Sequence, residues 1–315
     1  MVSGIIAGIT WALETIFIGL VLRSSPFVSS SQALLLAPFV STFLHDLFSA
    51  IFLFIYNAIR KNYKNLFHLL KTPKIKWIVL SSLIGGPIGM TGYVLTVNNL
   101  GASIGAVASA IYPAIGTVLA CVFLKEKVKW YQWIFLFLTL LGVYGLSYSP
   151  SVNIENFILG LIGVLMCAFG WGIEGVILAK CLKNEDANEE SILTIRQMVS
   201  ALVYGAIILP IISGWRFTLD VIILDAKIVI PILVLAALCA TVSYLFYYKA
   251  LHNIGAAKAM SLNITYTAWA ILFSIIILKD YSIINPLTIV CAFVVVICGI
   301  LAATDLKKLL KNKKS

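Results

Sequence analysis

The sequence predicts an all-α integral membrane protein, with ten transmembrane helices forming two inverted five-helix repeats. Of its 315 residues, 61% are hydrophobic and 11% charged, with a mean hydropathy of +1.02; soluble domains carry about 25% charged residues. Apolar runs of roughly 20 residues, the length that crosses a bilayer, recur along the whole chain. The segment Gly101 to Glu126 also aligns without a gap on Gly255 to Asp280.

In order, the expected spans are 3–22, 33–59, 77–98, 102–124, 130–148, 157–181, 191–213, 228–251, 256–278 and 284–304. The first run lacks a basic leader and carries Glu14, so it reads as a retained helix and not as a cleaved signal. Between spans, the longest polar intervals, Arg60 to Lys76 and Lys183 to Glu190, are loop-sized and leave no separate soluble domain. Cytoplasmic loops are enriched in Lys and Arg. Placing both termini inside the cell gathers Arg60, Lys61, Lys64, Lys71, Lys74, Lys76, Lys125, Lys127, Lys129 and the tail lysines on one side, leaving Arg23, Arg216, Lys227 and Lys279 outside. The net charge of +10 then follows from topology, and nucleic acid is not an expected partner. The lipid bilayer is. Six cysteines without C-x-x-C spacing read as packing residues.

The repeat divides the chain into 1–150, 151–305 and a basic cytoplasmic tail, 306–315. At an offset of 154, Gly101/Gly255, Ala102/Ala256, Tyr112/Tyr266, Ala114/Ala268, Leu124/Leu278 and Lys125/Lys279 are identical, and Tyr93 and Asn99 meet Tyr247 and Asn253. Five helices per half is an odd number, so the second half inserts upside down. In such inverted repeats the substrate site lies near the midplane between the halves.

Two Trp-x-x-Glu segments mark that site. Trp11-Ala-Leu-Glu14 and Trp171-Gly-Ile-Glu174 each place an indole and a carboxylate on one helix face. A carboxylate at membrane depth is costly unless it faces protein, a partner charge or water, which makes it a functional hypothesis by default. Tyr112, Tyr244, Tyr247, Tyr248, Tyr266 and Trp269 add aromatic faces. Such residues commonly pack or anchor at headgroups, but beside a buried anion they form a receptor for a cation, above all a quaternary ammonium. A flat aromatic metabolite fits the same faces.

The remaining polar groups read as a coupling or structural network: His45, Asp46, Arg196, Gln197 and Asn263. His45 and Asp46 are adjacent, so they point about 100° apart and are not expected to act as a same-face pair. Arg196 requires a carboxylate partner; Asp46, Glu14 and Glu174 are candidates that the sequence does not rank. Gly86, Pro87 and Gly89 in the third span and Pro113 in the fourth read as hinges, since proline removes a helix hydrogen bond and glycine allows close approach. With three histidines, no metal-spacing motif and no phosphate loop, no enzyme, metal or cofactor is expected.

These motifs resemble a known family. Ten helices in two inverted halves look like EamA-type carriers of the drug/metabolite transporter superfamily. Within it, His45-Asp46, Gly86-Pro87-Ile88-Gly89-Met90, Ser109 to Ala114, Trp171-Gly-x-Glu174, Ile195-Arg196-Gln197, Ser243 to Tyr248, Ala257-Lys258-Ala259 and Leu262 to Trp269 resemble the LicB choline permeases of bacteria. The resemblance implies choline uptake across the cytoplasmic membrane by alternating access. An aromatic box would draw on Trp11, Trp171, Tyr112, Tyr244, Tyr247 or Tyr248, with Glu174 as its anion. Glu14 departs from that pattern, which has a small residue there. Glu174 is then expected to be the working carboxylate and to couple substrate to protons, with Asp46 or Glu14 as a second titrating group; sodium is the other candidate coupling ion. Alternatives are an exporter of amino acids or aromatic metabolites on the same fold, and a membrane assembly subunit that transports nothing.

Overall fold

Among the described residues, ten helices are long and apolar enough to cross a membrane. They are α1 (Val2–Arg23), α2 (Ser31–Ile59), α3 (Lys74–Leu100), α4 (Ala102–Phe123), α5 (Trp130–Ser147), α6 (Phe157–Leu182), α7 (Glu189–Ile211), α8 (Val229–Ile254), α9 (Ala256–Ile277) and α10 (Pro286–Ala303). The computed structural model describes residues 1–148, 154–183, 188–223 and 227–306. The lysines of the tail from Lys307 onward and the expected boundary between repeats at 150 and 151 lie outside them.

Local sequence explains where the spans begin. Ser30, Asn156, Asn188 and Asn285 each accept a backbone N–H three residues on, capping α2, α6, α7 and α10. Pro286 occupies the first turn of α10, where its missing N–H costs nothing. The Glu126 carboxylate caps α9 from a distance, accepting from the N–H groups of Ala256 at 2.8 Å and Ala257 at 3.1 Å.

Three spans are irregular. In α3 a π-turn covers Ile84–Ile88 around Pro87, and in α7 another covers Tyr204–Ile208. α9 breaks at Ile264 and Thr265 into Ala256–Asn263 and Tyr266–Ile277. Around Pro113, by contrast, α4 is continuously α-helical. One missing donor is tolerated in a transmembrane helix whose neighbours pack around it.

The sequence repeat is also a repeat of backbone conformation. Gly101 (φ +89°, ψ 161°) and Gly255 (φ +86°, ψ 167°) turn the chain from α3 into α4 and from α8 into α9. Both lie in the region that only glycine enters without strain. Lys125 and Lys279 follow α4 and α9 with φ of 55° and 54°, and Lys61 and Ser213 follow α2 and α7 with φ of 54° each. Packing obeys the same exchange of halves: α1 packs on α8 as α6 packs on α3, α2 pairs with α7, α4 with α9, and α5 with α10. The halves are therefore interleaved, with helices of both lining one central space.

Candidate functional site

That space is a cavity of about 300 Å³, reached by α1, α2, α3, α4, α6, α7, α8 and α9. It runs from mid-bundle, where Trp11, Trp171 and Tyr244 meet, toward the bundle end where α1 finishes and α2 starts, past Leu22, Pro38 and Asn98. In the other direction it reaches Trp11, Trp171 and Tyr244, which also line a smaller cavity. This second cavity, of only about 20 Å³, lies among Tyr112, Glu174, Tyr247 and Tyr248. Toward the far end of α2, Asn57 donates to Thr194 at 2.9 Å and Asn62 to Ser191 at 3.2 Å, two buried hydrogen bonds that tie this end to α7.

Close packing of α3 on α6 places the second Trp-x-x-Glu segment. A Cβ on Gly85 would overlap the Glu174 carboxylate, and one on Gly89 would come within 2.8 Å of the Trp171 ring. Glycine at both positions is what lets the indole and the carboxylate reach the centre. The Gly85 carbonyl, inside the π-turn, accepts the Trp171 indole N–H at 2.9 Å, which fixes the ring's edge.

Each tryptophan organises its own aromatic cluster. Trp171 lies 6.1 Å from Tyr93 in a stacked arrangement and 6.0 Å from Tyr112 edge-on. Trp11 stacks on Tyr266 at 5.4 Å and meets Tyr244 at 5.7 Å. Tyr112 and Tyr266 are repeat partners, and their hydroxyls are held reciprocally. Asn263 donates to Tyr112 at 2.9 Å, while Ser109, the repeat partner of Asn263, shares a 3.4 Å hydrogen bond with Tyr266. The aromatic framework is thus nearly two-fold symmetric.

Its charges are not symmetric. Arg196, 4% exposed, donates from Nε to Glu174 at 2.9 Å, stands 3.7 Å from Asp46, and lies 5.1 Å over the Tyr244 ring. This ranks its candidate partners: Glu174 first, Asp46 second, and Glu14 not at all. Through Gln197 Oε1 at 2.6 Å and Gln197 Nε2 to Ser49 at 2.8 Å, the arginine is tied to α2 and, through Thr241, to α8.

One expectation needs correction. His45 and Asp46 do pair, Nδ1 to Oδ1 at 2.9 Å, and both line the cavity; their Cα–Cβ directions diverge, yet a ring and a carboxylate are long enough to meet again. Trp269 lines neither cavity, because one turn beyond Tyr266 the helix has passed the cavity wall. Gln197 and Asn263 do not line the cavities; they position Arg196 and Tyr112. Of the remaining site residues, Trp11, Glu14, Gly86, Trp171, Tyr244 and Tyr266 line the main cavity, and Tyr112, Glu174, Tyr247 and Tyr248 the smaller one. Tyr93, legible as the repeat partner of Tyr247 and as one more aromatic face, lines the main cavity beside Trp171. Ser49 and Thr241 had no signal beyond being hydroxyls in apolar spans.

The sequence matches the EamA-like transporter family twice, over residues 1–148 and 158–304. The chain belongs to this family. Protein LicB of Haemophilus influenzae is 28% identical to this EamA-like transporter over 210 residues, 67% of this chain and 69% of LicB. A crystal structure at 14% identity shares the fold, with a TM-score of 0.69 over 100% of this chain and 98% of the other.

Proposed function

We propose that this EamA-like transporter takes up choline or a related quaternary amine by alternating access between its two inverted halves. The observation that carries the reading is the cavity's composition: two tryptophan-centred aromatic clusters around three carboxylates, Glu14, Asp46 and Glu174, against one arginine and one histidine. With His45 neutral the group carries two excess negative charges, and with His45 protonated one. Either count favours a cation. A trimethylammonium group has no N–H to donate, so its recognition rests on aromatic faces and on net negative potential, and this cavity supplies both. The similarity to LicB points the same way.

The family's inverted architecture gives such a cavity two exits, one open at a time. Loop charges place the termini and the segment Arg60 to Lys76 in the cytoplasm, so the exit beside the α1–α2 connection faces outside, as loading for uptake requires. Cysteines introduced at the exposed positions Lys64 and, separately, Arg216 are expected to react with an impermeant thiol reagent from opposite sides of the membrane. Labelling of both from outside would contradict the arrangement.

The function itself is tested by reconstitution. Purified protein in proteoliposomes should accumulate labelled choline, and unlabelled choline should compete while amino acids and flavins should not. Competition by amino acids or flavins without any by choline would overturn the proposal.

A further inference from the structure

The two Trp-x-x-Glu segments lie in the first span of each half, α1 and α6, but their carboxylates have different fates. Glu174 is held by Arg196 of α7. The matching span of the first half, α2, contains neither lysine nor arginine, so nothing corresponds to Arg196 beside Glu14. The nearest ionisable nitrogen to Glu14 is His45 Nε2 at 3.9 Å, beyond hydrogen-bonding distance, and its one side-chain hydrogen bond is a long 3.4 Å contact from the neighbouring Thr15. His45 is 8% exposed, and its Nε2 has no hydrogen-bond partner. Since Nδ1 is engaged by Asp46, Nε2 and the Glu14 carboxylate face a common gap in the cavity wall.

Resting on the uptake function proposed above, we infer that Glu14 is the counter-ion of the bound organic cation and sets its selectivity for net positive charge, while Glu174 acts as the structural partner of Arg196. Three features place the cation there. Trp11, one turn before Glu14, stacks on Tyr266 and borders Tyr244, so the carboxylate and the aromatic faces converge from one helix. A buried carboxylate already hydrogen-bonded to a guanidinium has little negative potential left to offer, whereas one with no guanidinium partner gains most from a cation brought beside it. A substrate cation would also complete the two-fold pattern, standing to Glu14 as Arg196 stands to Glu174.

The consequence is a discrimination rule. Choline and glycine betaine present the same trimethylammonium group, but betaine adds a carboxylate that an unpaired Glu14 repels. The charged groups beside Glu14 and His45 are Asp46 on α2 and Arg196 on α7, and these two are already engaged with each other.

The test measures choline and glycine betaine binding by calorimetry to wild type, Glu14→Gln and Glu14→Asp, with melting temperatures as a check on folding. Wild type should prefer choline. Glu14→Gln should weaken choline by at least about tenfold and leave betaine nearly unchanged, so that the preference collapses; Glu14→Asp should keep most of it. A melting temperature close to wild type is expected, because the nearest ionisable nitrogen to Glu14 stands 3.9 Å away. Should Glu14→Gln weaken both ligands equally, or neither, the counter-ion assignment falls while the uptake function stands. If wild type binds no quaternary ammonium at all, both fall together. If Glu14→Gln does not fold, the Glu14→Asp ratio decides: a preference equal to that of a Glu14→Ala variant would overturn the inference.

Discussion

Replacing Arg196 with methionine is expected to destabilise the protein by about 3–5 kcal/mol, the cost of breaking a buried ion pair from one side. The guanidinium is 5% exposed and stands within 4 Å of both Glu174 and Asp46, so its loss leaves two carboxylates at membrane depth without the cation between them. The methionine variant should therefore melt well below wild type in detergent. Arg196→Lys should fall between them, since an ammonium keeps the charge but not the planar fork that meets Glu174 through Nε while Nη1 meets Gln197. Removing both partners is the control. Arg196→Met with Glu174→Gln should recover part of the loss, because the uncompensated charge and not the absent contact is the main penalty. A single Arg196→Met variant as stable as wild type would show that Glu174 and Asp46 are not held as described.

Trp171→Ala is expected to weaken choline binding by more than about tenfold, because a desolvated cation–π contact is worth about 2 kcal/mol and about 1.4 kcal/mol is a factor of ten. Trp171 is well placed for that role. Its edge is fixed by the hydrogen bond to the Gly85 carbonyl and its flanks by Tyr93 and Tyr112, so little entropy is lost when a substrate meets the ring. Trp171→Phe should keep a face but lose the anchoring N–H, retaining part of the affinity. Calorimetry on both variants distinguishes a wall of the site from a packing residue. If the alanine variant folds and binds choline as wild type does, Trp171 only fills space.

Much of this was legible before any coordinates. The ten spans follow from apolar run length, and the two Trp-x-x-Glu segments follow from the cost of a carboxylate in lipid, which lets so few charges into the spans that each one stands out. The repeat was legible from Gly101/Gly255 and Tyr112/Tyr266, because a positive φ and a buried hydroxyl constrain residue type in both halves alike. What sequence did not yield was partner choice. Arg196 selects Glu174 over Glu14 because of how α7 is seated against α3 and α8, and no spacing along the chain encodes that. His45 and Asp46 were misread for the same reason in reverse: helical geometry fixes where Cβ points, not where a long side chain ends. Pro113 broke no helix, whereas the break in α9 fell at Ile264 and Thr265, where no proline signals it.

The central claim is that the cavity recognises a positive charge through aromatic faces and an excess carboxylate. The most direct measurement compares choline with 3,3-dimethylbutan-1-ol, in which carbon replaces nitrogen at nearly the same shape and the charge is gone. Calorimetric titration of the purified transporter should give clear choline binding and an affinity for the neutral isostere at least about tenfold weaker, since cation–π attraction and the carboxylate's field vanish with the charge while apolar burial remains. Equal affinity for the two would contradict the account, because it would mean that the pocket reads shape alone.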